Sequence, residues 1–457
     1  MATQTVARAD AEQIWQAAIN AVDPQRLLAA APADLLGPLP AGRVVVVGAG
    51  KAAAGMAAGI AANLRQRGLP PERLAGLVSV PAGCGRRIER IEVRQTRPAG
   101  ANLPTPQVVT TTAEMLVQLG SLGPDDLAVA LITGGGSALL AAPRVGVTLE
   151  DKIAVARFLS ARGAGIVELN TVRRAASAVK AGGLARASTA GRLMVLVLSD
   201  VIGDPLDLIA SGPCMPTPAN PQAALDVLQR FGAIAAGIAP RLVDLLNEDI
   251  ASGCCLPSGA GSGPDWTTPF GCHVEHRIVG NNDTAVDAAV AKAQRLGYEV
   301  SVQHALAGGG PETHGARVVG IRLAAQARAL ARATQADRRL RAGIEGGEAT
   351  VALPPDHGLG GRNQQTVLET VVALEGDWPA GLVVASVGTD GEDGPTDAAG
   401  GVIDAAVAAH LGAEPQAASQ AISRCDSLPL LERAGGLIRT GPTGTNVADV
   451  RIVLVRP

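Results

Sequence analysis

Glycine-rich and acidic loops, each behind a short apolar run, carry the residue types that chemistry on a phosphate requires. The first reads Gly48-Ala49-Gly50-Lys51-Ala52-Ala53 and follows Val44–Val47. A G-x-G-x-x-A between a strand and a helix is a dinucleotide or phosphate turn, because its backbone amides point at an anion. A plain tight turn, with glycine for close packing, is the simpler reading of the same residues. Lys51 favours phosphate. It is one of only four lysines (with Lys152, Lys180 and Lys292) among 39 basic residues, so a compact ammonium stands here against a strong arginine bias. The next strand ends Val80-Pro81-Ala82-Gly83, without the acid that holds a ribose hydroxyl in a nicotinamide site, although Arg86 and Arg87 follow and would suit a 2′-phosphate. The second loop, Thr133-Gly134-Gly135-Gly136-Ser137, spends three glycines in a row. That entropy cost points to close backbone approach by a phosphate or carboxylate.

Acidic and basic loops supply the remaining parts. Asp200 and Asp204 lie in a Gly/Pro loop after the run Leu196–Leu198, suited to Mg²⁺ or to accepting a hydroxyl proton; Asx-turn and capping roles are the alternative. Asp390, Glu392, Asp393 and Asp397 crowd another post-strand loop whose spacing does not fit an EF-hand. Gly360-Gly361-Arg362-Asn363 sets a guanidinium behind mobile glycines, ready for bidentate contact with an anion, with Asn363 beside it. Gly346-Gly347-Glu348 reads as a turn leading into a strand, and Arg173, Ser177 and Lys180 as a solvated basic helix face. Glycine turns, a selected lysine, a glycine-flanked arginine and clustered aspartates are together the equipment of phosphoryl transfer, which relies on positioning and charge neutralisation. No G-x-S-x-G or H-E-x-x-H competes.

These loops need a layered scaffold. Apolar runs at Arg43–Val47, Leu77–Val80, Asp126–Ile132, Leu193–Leu198, Arg277–Val279, Gly381–Val387 and Arg451–Val455 alternate with Ala-rich helices such as Lys51–Arg67, Leu149–Arg162 and Asp283–Leu296. Bare apolar runs fit strands buried on both faces, so the expected class is α/β with parallel strands. The aperiodic Gly/Ser/Pro stretch 251–265 places a boundary between residues 1–265 and 266–457. The 457 residues carry 18% charged, 47% hydrophobic and 2% aromatic side chains and a net charge of −3. That balance excludes disorder and gives nucleic acid neither a basic footprint nor a stacking platform. Six cysteines without C-x-x-C spacing, no secretory leader and no spanning apolar run point to a cytoplasmic protein with no membrane partner.

The stretches VVVVGAGKAAAGMA, LITGGGSALL, ELNTVRR, VKAGGLA, LSDVIGDPLDLIASGP, GNNDTAVDAA, GGEATV, GGRNQQ, GTDGEDGPTDAAGGVID and TGPTGTNVADVRIVLV run in order from residue 44 to 455. In them the chain resembles the class II glycerate kinases, the glycerate 2-kinase family. The C-terminal part of that family is called the MOFRL domain, and its bacterial members have often been labelled hydroxypyruvate reductases. The resemblance implies two Rossmann-like α/β/α domains with an active-site cleft between them, the second of MOFRL type. It also implies transfer of the γ-phosphoryl of ATP, with Mg²⁺, to the C2 hydroxyl of D-glycerate. Carried over by motif, Lys51, Arg362 and Asp200 are the catalytic group. Gly48, Gly50, Gly134, Gly135, Gly136, Ser137 and Asn363 bind substrate or phosphate, and Asp204 and Asp390 are the weaker metal candidates. Departures are local. The family's E-A-G-H-P is Pro98-Ala99-Gly100-Ala101-Asn102 here, G-A-D-I is Gly163-Ala164-Gly165-Ile166, and R-K-H-L-S is Arg173-Arg174-Ala175-Ala176-Ser177. Two histidines and an aspartate are thereby missing, which leaves open a kinase for another small hydroxy acid. An NAD(P)H-dependent hydroxypyruvate reductase and a non-catalytic binder of anions or nucleotides are the rival readings. The sequence admits a homo-oligomer without fixing its order.

Overall fold

A computed structural model describes residues 2–100, 102–217, 220–253, 263–308 and 311–457. The chain divides into two compact units, Pro24–Ser199 with Asp204–Val279, and Met1–Asp23 with Asp200–Gly203 and Gly280–Pro457. We call them the parallel and the mixed unit after their sheets.

The parallel unit is built on β1 (Val44–Ala49), β2 (Leu74–Pro81), β3 (Ile91–Arg97), β4 (Leu127–Thr133), β5 (Arg192–Leu198), β6 (Trp266–Thr267) and β7 (His273–Gly280), in spatial order β3-β2-β1-β4-β5-β7-β6. β1 pairs parallel with β2 and β4, β2 with β3, and β4 with β5, and β6 pairs antiparallel with β7. Every residue of β1 and β4 is buried, as expected for strands covered by helices on both faces. The helices Ala53–Gln66, Leu149–Ala161 and Asn282–Arg295 match the expected ones to within two residues.

The mixed unit holds β8 (Glu299–Gln303), β9 (Arg341–Gly347), β10 (Leu382–Gly388), β11 (Gly400–Ile403), β12 (Leu437–Ile438) and β13 (Asp449–Val455), ordered β12-β11-β10-β13-β9-β8. Here the expectation of parallel strands fails. β10 pairs antiparallel with β11 and β13, β13 with β9 and β11 with β12, leaving only β8–β9 parallel. An apolar run reports burial on both faces and is silent about direction. Helices Ala2–Ala21 and Asn282–Arg295 pack together and on this sheet, as do Ala316–Asp337 and Arg362–Ala373.

The stretch expected to separate the domains lies mostly outside the described residues, at 254–262, and β6 and β7 beyond it complete the parallel sheet. The compact units therefore part after Val279 instead of at 265, and the N-terminal helix belongs to the mixed unit, where the Thr445 hydroxyl donates to the Val22 carbonyl at 2.8 Å. Composition marks a loop without telling which sheet the next strand joins. Gly346 and Gly347 close β9 instead of leading into a strand. Among the described residues no helix is long and apolar enough to cross a membrane.

Candidate active site

In the parallel sheet β2 and β4 flank β1, so the strand order reverses there, and in open α/β sheets ligands bind outside the carboxyl ends of strands at such a reversal. Both glycine loops sit at that point. The Lys51 amide donates to the Gly134 carbonyl at 3.0 Å, bracing the first loop on the second, and the Gly50 amide donates to the Ser79 carbonyl of β2 at 3.2 Å. Gly50 has φ +137°, and a Cβ there would lie 2.3 Å from Thr133 Cγ2. Close packing alone thus requires this glycine, as the tight-turn reading holds. Gly135 differs. It is exposed at φ +76°, and a Cβ there would have only the Arg97 guanidinium nearby, at 3.8 Å.

Behind Gly135 and Ser137 opens a cavity of about 230 Å³. Arg97 from the end of β3, Lys152 from helix Leu149–Ala161, Arg173 from helix Ile166–Ala175 and Lys180 from the loop that follows all line it, and among the described residues none that lines it is acidic. None of the four cations forms an ion pair among the described residues. The remaining wall is largely apolar, including Ala141, Val155, Leu159, Val172 and Ala176. Arg97 is only 5% exposed and its Nε has no partner. Lys180, 3% exposed, donates to the Ala210 carbonyl at 2.7 Å, and Lys152 to the Ala176 carbonyl at 3.3 Å. Burial lowers the Lys152 pKa to about 7, with the Arg173 charge adding to it. Burial, then Lys152 and Arg173, pushes Lys180 well below an ordinary lysine, and burial lowers Arg97 and Arg173 as well. Mutually repelling cations without a counter-charge, two of them buried (Arg97, Lys180) and two half-buried (Lys152, Arg173), are costly unless an anion enters.

The carbonyl that holds Lys180 sits on strained backbone. Ala210, Ser211 and Gly212 are all left-handed, at φ +51°, +64° and +63°. Two non-glycine residues there cost about 1–3 kcal/mol each and persist only where the surroundings impose them. Here the Ser211 hydroxyl donates to Asn170 Oδ1 at 2.9 Å and lies 2.9 Å from the Ser137 hydroxyl, tying this turn to the second glycine loop.

Arg362 occupies a different environment, the N-terminus of helix Arg362–Ala373 in the mixed unit. Its Nε and Nη2 each donate to Asp449 at 2.9 Å and its Nη1 donates to Glu348 at 2.7 Å. It also lines a second cavity, of about 200 Å³, together with His357 and Gln365. Asp449 is fully buried, and Arg451, Glu345 and Arg322 extend the charge chain behind it. The helix N-terminus is already capped by a carboxylate. Asp393 accepts the Asn363 amide at 3.0 Å and the Gln364 amide at 2.9 Å, and its burial raises its pKa to about 6. Asn363 is itself fully buried, its amide donating to Asp449 at 3.1 Å and its carbonyl accepting from Ser386.

Asp200 follows β5 and is half-buried, as is Lys51. Asp204 is left-handed at φ +53°, and Asp390 accepts the Glu392 amide at 3.1 Å. Among the described residues no three His, Cys, Asp or Glu side chains converge as a metal cage. Single carboxylates still suit Mg²⁺ that arrives on a nucleotide, since that ion keeps its waters and takes one or two carboxylates plus phosphates.

The solvated basic face expected for Arg173, Ser177 and Lys180 is not formed. The helix ends at Ala175, and Ser177 and Lys180 are buried. Arg97 and Lys152 were missed altogether. A signal existed, because Lys152 and Lys180 share the rarity that singled out Lys51.

Fold and site together define an α/β protein with a cation-lined cavity beside the reversal of a parallel sheet. A family model described as a domain of unknown function, DUF4147, matches residues 10–247, and the MOFRL family model matches residues 341–449. The chain is 33% identical to the D-glycerate 2-kinase of Thermotoga maritima, covering 97% of each chain, and 36% identical to a putative hydroxypyruvate reductase of Agrobacterium vitis, covering 98% of this chain and 94% of the relative. The crystal structure of a Thermotoga maritima glycerate kinase superimposes with a TM-score of 0.80 at 32% identity over 99% of both chains. The chain belongs to the class II glycerate kinase family.

Proposed function

We infer that this protein is an ATP-dependent D-glycerate 2-kinase, which moves the γ-phosphoryl group of ATP to the C2 hydroxyl of D-glycerate and releases 2-phosphoglycerate and ADP. The observation that carries the reading is the end-to-end match to the Thermotoga D-glycerate 2-kinase. The unpaired cations beside the glycine loops support it, since phosphoryl transfer needs fixed positive charge where negative charge accumulates.

In this reading Lys51 neutralises the transferring phosphoryl, the backbone of Gly48, Gly50 and Gly134–Gly136 with Ser137 faces the phosphates, and Asp200 orients the C2 hydroxyl. Arg362 acts from inside its ion pairs. Asp449 holds its Nε and Nη2 from behind, so an arriving phosphate competes only with Glu348 for Nη1. Asn363 serves the same loop by fixing Asp393 and Asp449. Asp204 and Asp390 are the carboxylates offered to the Mg²⁺ carried by ATP. The strand order β3-β2-β1-β4-β5 supports a Rossmann-like reading of the parallel unit. The reaction is assigned to the cytoplasm.

The test is ADP release from Mg-ATP and D-glycerate, with enolase added alone to read the product. Enolase takes 2-phosphoglycerate without a mutase, so phosphoenolpyruvate is the expected signal. ADP without it would overturn the C2 assignment. No ADP, together with NADPH oxidation by hydroxypyruvate, would replace the kinase by the reductase that the Agrobacterium relative's label suggests.

A further inference from the structure

We propose that the cavity behind Gly135 and Ser137 is the acceptor subsite, and that its apolar wall takes 2-hydroxy acids bulkier than glycerate, their carboxylate held by Arg97, Arg173 and Lys180. The assignment rests on the kinase reading above and deepens it. Three observations carry it.

The cations are the first. Four converge on one cavity with no acid in its lining, and Arg97 keeps an unpartnered Nε although only 5% of its surface is exposed. A planar guanidinium with free donors matches a carboxylate, and the Lys180 ammonium, fixed by the Ala210 carbonyl, has further protons to offer.

Size is the second. About 230 Å³ is far more than the roughly 10–15 Å³ that one water needs, and it nears the lower end of the roughly 300–1,000 Å³ typical of pockets for drug-sized ligands. A three-carbon acid leaves most of that volume unfilled.

The wall is the third. Among the described lining residues, apart from the cations, only Asn102 and Ser137 offer side-chain hydrogen bonds, whereas Val155, Leu159, Leu169 and Val172 offer none. A site built to hold the 3-hydroxyl of glycerate would aim polar groups at it, and such sites reject analogues lacking the hydroxyl by large factors. An apolar wall discriminates weakly and gains from each methylene it covers. The lining contains no aromatic residue on which a purine would stack, which favours the acceptor over the nucleotide as occupant.

The chemistry is unchanged by the bulkier substrate. The C2 oxygen forms a bond to the γ-phosphorus, the bond from that phosphorus to the β–γ bridging oxygen breaks with its electron pair leaving on ADP, and the hydroxyl proton is released.

The experiment compares kcat/KM of the full chain for D-glycerate, D-2-hydroxybutyrate, D-2-hydroxyisovalerate and D-2-hydroxyisocaproate with saturating Mg-ATP. The expected result is kcat/KM for at least one apolar acid within tenfold of D-glycerate or above it. Ala156→Leu, which narrows the cavity from a helix surface, lowers the ratio of bulky acid to glycerate at least fivefold. Lys180→Met raises KM for every acceptor at least tenfold while KM for ATP stays within twofold. Glycerate turnover with no turnover of, or competitive inhibition by, the apolar acids would overturn the proposal and leave the kinase reading standing. A Lys180→Met enzyme with raised KM for ATP alone would give the cavity to the nucleotide and overturn it as well. Should no acceptor be phosphorylated, the kinase reading fails, and titration calorimetry of D-2-hydroxyisocaproate decides. Saturable heat lost in Lys180→Met sustains the subsite, and absence of heat removes it.

Discussion

The two units treat their buried cations in opposite ways. In the mixed unit Arg362 is matched by Asp449 and Glu348, and Arg451 by Glu345, so charge is neutralised inside the protein. In the parallel unit Arg97, Lys152, Arg173 and Lys180 share one cavity without an acid. A closed ion-pair chain fixes a framework, whereas an open cation cluster is complete only with a ligand. The backbone amides of Asn363 and Gln364 at the Arg362 helix N-terminus are likewise taken by Asp393, whereas the described lining of the cavity beside Gly135 contains no carboxylate.

Removing an acid from the closed chain gives the largest expected effect. Asp449→Ala strands Arg362 without its two-pronged partner and lowers urea stability by about 3–5 kcal/mol, the scale of breaking a buried pair. A loss below about 1 kcal/mol would mean the chain is not a framework at all. Lys51→Ala comes next, with kcat falling at least ~100-fold and the melting midpoint nearly unchanged, the scale of one lost electrostatic stabiliser. Near-normal turnover would take Lys51 out of the mechanism.

Lys180→Met is the counterpart of Asp449→Ala on the open cluster. It deletes a buried ammonium that has no counter-charge and leaves one carbonyl unsatisfied, so stability stays within about 1 kcal/mol of the parent. A loss as large as that of Asp449→Ala would erase the contrast between the units.

The smallest effect is a pH dependence. Lys152, brought from 10.5 to about 7 by burial first and Arg173 second, is charged below that value and neutral above it. Affinity of the empty cavity for an anion should therefore fall as pH rises through 7, by at most about tenfold per pH unit. Stability should move the other way. From about pH 7 up to the unfolded lysine pKa the unfolded chain binds more protons, so this group's destabilisation diminishes with rising pH and is fully present below 7. Arg97, Arg173 and Lys180 face the same cavity, so the test is the difference between wild type and Lys152→Arg, whose charge does not titrate. Parallel profiles for the two proteins would exclude Lys152 as the titrating group.

Much of this was legible in residue types. Val44–Val47, Leu127–Ile132 and Leu193–Leu198 are strands made wholly of apolar residues that favour leaving water, and glycine loops behind such strands mark the ligand end of a sheet. β9 was not legible, because Glu345 within it is only 3% exposed and is tolerated through Arg451 and Arg322, partners 106 and 23 residues away in sequence. The cavity was illegible for the same reason. Arg97, Lys152, Arg173 and Lys180 come from four separate segments, and no local pattern records that their side chains meet.

By itself, then, the sequence determined the layered α/β class, the strands with apolar runs and the glycine loops behind them. These follow from local transfer free energies and backbone sterics, which each residue carries with it. Tertiary structure alone decided that the second sheet runs mostly antiparallel, that β6 and β7 join the first, and which cations meet a carboxylate among the described residues. Strand direction and charge pairing depend on which distant segments become neighbours, and a side chain's electrostatic energy is set by those neighbours and by its distance from water.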